Sequence, residues 1–488
     1  MIQKPAVDWF ALSPELALLA AAGLLLMVAV FVPRAAQRFF GAAVCAAGFA
    51  TAFVLAVVLD DRSEHAQPVI GDAIVRDRWG ALAQVLVAGS GLVAVFLAYR
   101  ERMRDDHIAE YYALLAAAGA GMAFFVQANN LMTLFLGLEW FSIALYVLCA
   151  IDIDLIGSLE AGLKYLVVGA VGAATLLFGS ALVYGTTGEL EFGKIAAAGH
   201  TDDALLVVGL AMIITGLGFK VSAAPFHMWT PDAYQGAPTP VTAFMASATK
   251  IAALVVTYRV LVTAFPGNED LWRVAIAVIA CVSLAVGNIA ALLQRNVKRI
   301  LAYSSVSHAG FMLIPVAAAN ELGAKALMFY LVPYAAMSLG AFGVVAARER
   351  ELGMPVTIEN LAGFGWERPF FGAAMAIFMA GFLGFPLTGG FIGKFYAFAA
   401  AWDSGYWWLI VAGVIATMIS AYYYLGVVRA MYFRESVELQ LAPAGGAPPR
   451  EGLAGFGVFL CVAVTVGSFF AVQPVIDAAA AAARSLPL

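Results

Sequence analysis

A chain of 488 residues that is 63% apolar and only 12% charged carries about half the charge of an ordinary soluble domain. It cannot cover a water-facing surface of its own size, which excludes a disordered chain, a nucleic-acid binder and a soluble enzyme. The net charge of −5 says little when most of the surface faces lipid.

In chain order, the apolar runs predict about 14 membrane spans, at 12–32, 38–59, 79–99, 111–127, 129–150, 160–185, 204–230, 240–264, 271–293, 299–319, 323–347, 370–401, 405–430 and 453–476. Each is long enough to cross a bilayer as a helix, so the fold class is an all-α polytopic membrane protein. The first run is a full span ending at Pro33-Arg34 rather than a cleavable signal peptide. Connections are short, apart from 348–369 and a flexible 434–452 rich in Ala-Pro and Pro-Pro.

Orientation comes from the basic residues. Arg34, Arg38, Arg100, Arg102, Arg104, Arg295, Lys298 and Arg299 fall in odd-numbered loops. So do Arg348, Arg350, Arg368, Arg429, Arg434 and Arg450. Even loops carry acids such as Asp60, Asp61, Glu64, Asp72 and Asp77. The odd loops are therefore expected in the cytoplasm of a bacterial cell and both termini in the periplasm.

An internal repeat runs at an offset of 161. Glu160, Gly162 and Lys164 match Glu321, Gly323 and Lys325; Gly179 matches Gly340; Pro225 matches Pro386. The shift is five spans. Five is odd, so the second copy is expected to be inverted, a transporter signature when helices break at matching positions. The expected segments are 1–110 (three spans), 111–264 (spans 4–8), 271–433 (spans 9–13) and 453–488.

The informative residues are charges in mid-span: Glu139, Lys220, Lys250 and Lys394. A central lysine costs ~2.5–3.5 kcal/mol on insertion scales, and three cost on the order of 8–10 kcal/mol, comparable to the stability of a whole domain. A buried Glu–Lys pair gluing helices would explain one lysine, not three. A proton relay explains all three, since burial and neighbouring charge shift the proton affinity of lysine readily, whereas arginine stays charged. Pro225 and Pro386 are expected to break spans seven and twelve beside two of these lysines.

Other candidates are weaker. His308 stands with Ser304, Ser305 and Ser307 and suits either a relay through water or a structural role. His227 lies beyond the break; His65, His107 and His200 are in loops. Lys164 and Lys325 open their spans, where snorkelling suffices, and Lys164 is the better relay candidate. Arg259 reads as structural or interfacial. Cys45, Cys149, Cys281 and Cys461 are isolated, with no metal or iron–sulfur spacing. Gly216-Leu-Gly218 signals close packing rather than a nucleotide loop, since no strand precedes it.

Three stretches resemble a known family: GLGFKVSAAPFHMWTPDAYQGAPTPVTAFMASATK (216–250), NNLMTLFLGLEWFSIALYVL (129–148) and RNVKRILAYSSVSHAGFML (295–313). They are similar to the antiporter-like subunits of respiratory complex I, best to the subunit N family of bacterial NADH–quinone oxidoreductase. The resemblance covers spans four to thirteen. It implies five-helix inverted repeats that each form a half-channel, with the helix-five glutamate at Glu139, the helix-seven lysine at Lys220, the helix-eight lysine at Lys250 and the helix-twelve lysine at Lys394. Sister subunit M carries glutamate at that last position, and subunit L continues into a long lateral helix, so both are disfavoured.

The resemblance further implies an inner-membrane complex with antiporter-like subunit M and small subunits K and J as neighbours. Quinone would bind elsewhere in the complex, and FMN and iron–sulfur clusters would reside in other subunits. A free-standing proton/cation antiporter, a non-conducting assembly subunit and a photosynthetic-membrane relative remain as alternatives.

Overall fold

The structure, a computed structural model, describes residues 7–63, 65–101, 107–199, 203–434 and 451–487. Glu64, Arg102, Arg104, His200, Arg450 and most of the 434–452 loop lie outside the described residues.

Three helices lead: α1 (Ser13–Phe31), α2 (Arg34–Arg62) and α3 (Arg78–Ala98), with a two-residue antiparallel hairpin, β1 (Gln67–Pro68) and β2 (Val75–Arg76), before α3. A first unit follows: α4 (Ile108–Phe125), α5 (Leu131–Cys149), α6 (Ile156–Thr187), the short α7 (Phe192–Ala198), α8 (Ala204–Val221), α9 (Thr230–Gly236), α10 (Thr239–Phe244) and α11 (Lys250–Ala264). A π-helical turn, Met245–Thr249, joins the last two. The second unit comprises α12 (Glu269–Leu292), α13 (Val297–Ala318), α14 (Glu321–Leu352), α15 (Phe364–Glu367), α16 (Pro369–Leu383), α17 (Gly389–Asp403) and α18 (Trp407–Phe433). α19 (Gly452–Phe470) and α20 (Val472–Ala483) close the chain.

Among the described residues, 13 helices are long and apolar enough to cross a membrane. The predicted span 370–401 is the fourteenth. It is divided into two 15-residue helices, α16 and α17, each too short to cross alone. Helix starts follow local chemistry: the side chains of Asp77, Asn130, Asp203, Asn296 and Asn320 each accept a hydrogen bond from a backbone N–H of the first turn.

Burial sorts the helices into core and shell. The Thr239–Ala264 span is 100% buried and the α13 and α14 spans 94%, whereas α18 and α19 are 33% buried and present apolar side chains outward. A helix that is apolar all round and enclosed by other helices is a core element. The polar residues of these inner helices are therefore held away from lipid.

Positions related by the 161-residue offset compare as follows. α6 and α14 are both 32 residues long. Gly179 lies against the backbone of α8, where a Cβ would meet the Gly209 carbonyl at 2.7 Å, and Gly340 lies against Phe378 of α16, where it would meet the ring at 2.1 Å. The same repeat position thus admits the next helix in both units. α8 stops at Val221 and α16 at Leu383, so Pro225 and Pro386 both fall in non-helical breaks.

Several boundaries differ from the sequence reading. The 348–369 loop begins only after Leu352, and the predicted final span 453–476 is α19 followed by a separate α20 packed on α14 and α3. Lys298, Arg348 and Arg350, counted as loop charges, are only 5–6% exposed. Arg350 pairs with Glu101 and Glu451 at 2.8 and 3.0 Å, and Arg348 with Glu351 and Glu367 at 3.3 and 3.1 Å. These buried bases are neutralised by acids at one edge of the bundle, of which Glu451 is buried and Glu367 exposed, so only part of the basic excess faces water. Burial pushes the Glu101 carboxyl above the usual range, and Arg350 only partly offsets that.

Candidate functional site

The first break exposes α8's last carbonyls in an apolar setting, and the surroundings satisfy them. Ser222 caps the helix at φ 61°, and the Trp229 indole N–H donates to the Phe219 carbonyl across the break at 3.2 Å. The Ala224 N–H donates to Ser283 of α12 at 2.8 Å. The break is therefore a fixed structure rather than a loose kink.

Lys220 sits in the last turn of α8 and is 1% exposed. Its Nζ donates to the Tyr165 hydroxyl at 3.2 Å. Four rings surround it: Phe141, Tyr165, Tyr146 and Phe219, with centroids 5.0, 5.1, 5.5 and 5.6 Å from Nζ. Tyr165 is itself held by stacking on Trp229 at 4.4 Å and edge-on contact with Tyr146 at 4.7 Å. Ring faces attract an ammonium by ~0.5–2 kcal/mol each at best, so the cage can hold the cation without a carboxylate in contact.

Glu139, half-buried on α5, is the carboxylate whose charge acts on Lys220. It forms no ion pair within 4 Å among the described residues, and its Oε1 is buried without a hydrogen-bond partner. The Tyr146 hydroxyl beside it is likewise buried without a partner. Glu139 and Lys220 interact through their charges without forming a salt bridge.

Lys250 begins α11 directly after the π-helical turn and is 0% exposed. Its ammonium donates to the Ser305 carbonyl on α13 and lies 5.8 Å from the Tyr334 ring. π-Helical turns shift helix register and recur at functional sites. Here the turn ends at Lys250 itself.

Around Ser305 lie three separate hydrogen-bonded groups. Ser305 Oγ and the Tyr334 hydroxyl are 3.0 Å apart. His308 reaches the Tyr330 hydroxyl through Nδ1 at 3.0 Å and the Tyr424 hydroxyl through Nε2 at 3.1 Å. Tyr424 bonds to Ser304, Tyr423 donates to Asn288 at 2.9 Å, and Asn288 donates to Ser307 at 2.8 Å. The charges of both Lys394 and Lys250 act on His308.

Lys394 lies on α17 and is 5% exposed. Its Nζ reaches back over the second break to the Leu383 carbonyl, the last residue of α16, at 3.0 Å, and to Thr417 of α18 at 3.2 Å. The Phe311 ring lies 4.2 Å from Nζ. A cation on a helix's last carbonyls is favoured by the dipole and by the unpaired C=O groups. Gly390 makes the break compact: a Cβ there would meet the Gly381 carbonyl at 2.0 Å. Gly384 and Leu387, at φ 82° and 76°, turn the chain.

Two candidates lie apart. Lys164 has a side chain 44% exposed and pairs with Glu160 at 2.7 Å and Asp232 at 2.8 Å. It is not among the buried lysines. His227 lies in the first break, its Nδ1 buried without a partner and its ring 6.3 Å from Tyr303. Arg259 makes a bidentate contact to Asp77, at 2.6 and 2.8 Å, with both side chains 2–3% exposed. Among the described residues, no group of three His, Cys, Asp or Glu side chains could hold a metal ion.

Sequence reasoning missed Tyr165, Tyr330, Tyr334, Tyr424 and Asn288. Asn288 carried a usable signal, a polar amide in an apolar span. The tyrosines did not, because tyrosine in a span reads equally as interfacial or core.

The comparisons bear on this geometry. Residues 128–420 match the family model described as NADH:quinone oxidoreductase/Mrp antiporter, transmembrane. NADH-quinone oxidoreductase subunit N of Salinibacter ruber is 42% identical over 396 residues, 79% of each chain. Its counterpart from Rhodospirillum rubrum is 39% identical over 484 residues, covering 97% of this chain and 96% of the relative. The chain belongs to the subunit N family of NADH-quinone oxidoreductases.

A chain of respiratory complex I from Thermus thermophilus, solved with bound aureothin, superposes with a TM-score of 0.81 at 32% identity, covering 96% of this chain and 99% of that one. A chain of the Mrp complex from Dietzia superposes at 0.84 with 21% identity, covering 97% of both chains, and shows the shared fold alone. The chain is thus an antiporter-like, multi-pass membrane subunit.

Proposed function

We propose that this chain is a proton-translocating membrane-arm subunit of an NADH:quinone oxidoreductase. Protons pass through Glu139, Lys220, Lys250, His308 and Lys394 while quinone is reduced elsewhere in the complex. The observation that carries the reading is the series of three lysines, each 5% exposed or less, none in ion-pair contact with a carboxylate among the described residues. Such a lysine can exist charged or neutral, and each state is favoured by a different arrangement of its neighbours.

In this scheme Glu139 is the movable counter-charge of Lys220. When the carboxylate approaches, the caged ammonium is held; when it withdraws, the proton is released. Lys250 passes protons towards the Ser305–Tyr334 pair and the His308 group packed against Tyr334, and Lys394 is the terminal holder on the second break. Lys164 and His227 would serve as peripheral members at the edges of the path. Flavin, clusters and quinone belong to other subunits, and the neighbours would be subunit M and small subunits K and J. The complex would lie in a bacterial inner membrane with both termini in the periplasm.

The test is Lys220→Ala in inverted membrane vesicles, with complex content measured by immunoblot. NADH-driven quinone reduction and proton uptake are read together. Both are expected to fall while the complex remains assembled. Wild-type rates for both would make Lys220 a structural residue and this chain a scaffold.

A further inference from the structure

Outside the relay, one buried acid has no use so far. Glu15, in the first turn of α1, is 3% exposed and is the one ionisable residue of that helix. It faces Gln84 of α3, itself 1% exposed, whose Nε2 donates to Glu15 Oε1 at 2.6 Å. The same Nε2 donates to the Ala123 carbonyl of α4 at 3.2 Å. One amide therefore joins three helices.

Donors and acceptors in this pair do not balance. Both N–H groups of Gln84 are engaged by oxygens, which fixes the amide: turned over, it would aim its own oxygen at two others. Gln84 Oε1 is then buried without a partner, and so is Glu15 Oε2. Each of the two bonded side chains thus presents one further acceptor, and buried acceptors in a folded chain are normally paired. A carboxylic acid, unlike a carboxylate, is a donor as well as an acceptor.

Charge leads to the same place. An ionised carboxylate out of water needs a cation or several donors. Among the described residues, Glu15 forms no ion pair and accepts one side-chain hydrogen bond. The charged groups on the elements around it are engaged elsewhere. Asp8, on the preceding turn, pairs with Arg76 at 2.6 Å. Arg62, which follows Asp60 and Asp61 at the end of α2, lies over the Phe10 ring at 5.0 Å. At the start of α3, Asp77 pairs with Arg259, and Arg78 donates to the Asp60 carbonyl at 3.2 Å. Glu110 opens α4, roughly 20 Å along that helix from Ala123 at 1.5 Å per residue.

We propose that Glu15 is a proton-binding site, a neutral acid whose Oε2–H donates to Gln84 Oε1 while Gln84 donates to Glu15 Oε1. The two side chains close a ring of two hydrogen bonds, and the proton fastens α1 to α3 and α4. This site stands apart from the Glu139–Lys394 series and does not depend on it. Gln127 Oε1 and Ser13 Oγ are also buried without partners, so the rival arrangement is an ionised Glu15 sharing a sodium ion or a water with these oxygens.

The experiment uses the complex purified from membranes in a maltoside detergent, which has no ester carbonyl. Infrared absorbance is measured at neutral pH for the unaltered chain and for Glu15→Gln. The difference is expected to contain one carbonyl band of a hydrogen-bonded carboxylic acid, shifted in heavy water and lost in the variant. Gln84→Met keeps the acid and removes its acceptor, so the band should move to higher frequency; this variant carries the test where Glu15→Gln fails to assemble. Melting supplies an independent reading. Glu15→Gln, whose amide can donate to Gln84 Oε1, should melt with the unaltered complex, and Glu15→Leu below it. Carboxylate bands in place of the acid band overturn the proposal. So does a melting temperature that sodium chloride raises over potassium chloride in the unaltered complex and not in Glu15→Gln.

Discussion

Lys220 in the first five-helix unit and Lys394 in the second both stand at a broken helix, yet their surroundings differ. Lys220 belongs to the half-helix that ends at the break and is wrapped by four rings with one hydroxyl contact. Lys394 belongs to the half-helix that begins after the break and reaches back to the carbonyl at the end of the preceding one. Both put a cation near the negative end of a half-helix. The first site leaves its ammonium's stability to ring faces and a distant carboxylate, so a small movement of Glu139 changes it. The second holds its ammonium by fixed backbone geometry and adjoins the His308–tyrosine chain. In the proposed relay the first site responds, and the second holds and hands on.

The sharpest way to separate relay from scaffold is to break a contact that belongs to neither lysine. Asp77→Asn leaves Arg259 buried without its counter-charge and is expected to cost about 3–5 kcal/mol, the penalty of an uncompensated buried charge. The chain's abundance in membranes should fall, read by immunoblot and thermal melting, with activity per assembled complex near normal. A selective loss of activity at normal abundance would move this pair into the relay.

Next in size, Lys394→Ala and Lys220→Ala should each lower proton uptake about tenfold or more, a barrier change of ~1.4 kcal/mol or above. The units can be told apart by Glu139→Gln, which removes the movable charge of the first site alone. It is expected to mimic Lys220→Ala, and a wild-type rate would separate Glu139 from that lysine.

Tyr424→Phe removes one hydroxyl between His308 and Ser304 and should slow uptake about fivefold, the scale of one lost buried hydrogen bond of ~1 kcal/mol. Tyr165→Phe keeps the ring of the cage and should cost less. Equal effects would mean that the hydroxyl, not the cage, holds Lys220. Smallest of all, Lys164→Ala should leave stability within about 1 kcal/mol, as for other exposed ion pairs, and, as the loss of a residue at the edge of the path, slow uptake by no more than about twofold.

The spans and both breaks were legible in the sequence because apolar length and proline are local signals. Glu139, Lys220, Lys250 and Lys394 were legible because an uncompensated charge in an apolar run is costly wherever the chain goes. The tyrosines were not, because they pair α13 with α14 across 22 and 29 residues and with α18 across 116, and pairing between different helices leaves no local pattern. The repeat offset also misleads at one point: position 220 plus 161 is Gly381, not Lys394. The two units satisfy similar half-helix ends from different sides of the break, which alignment by offset does not register. Lys298, Arg348 and Arg350 were misplaced for a related reason: a basic residue at a span's end looks the same whether it meets water or a buried acid.

The most direct measurement concerns Lys250, which stands between the two units. Lys250→Arg keeps a positive charge there but cannot release its proton. Inverted vesicles carrying Lys250→Arg and Lys250→Leu would be compared for NADH-driven quinone reduction and proton uptake per assembled complex. If protons pass through this lysine, both variants lose both activities to the same extent. Near-normal rates in Lys250→Arg would show that only a fixed charge is needed there and would contradict the relay.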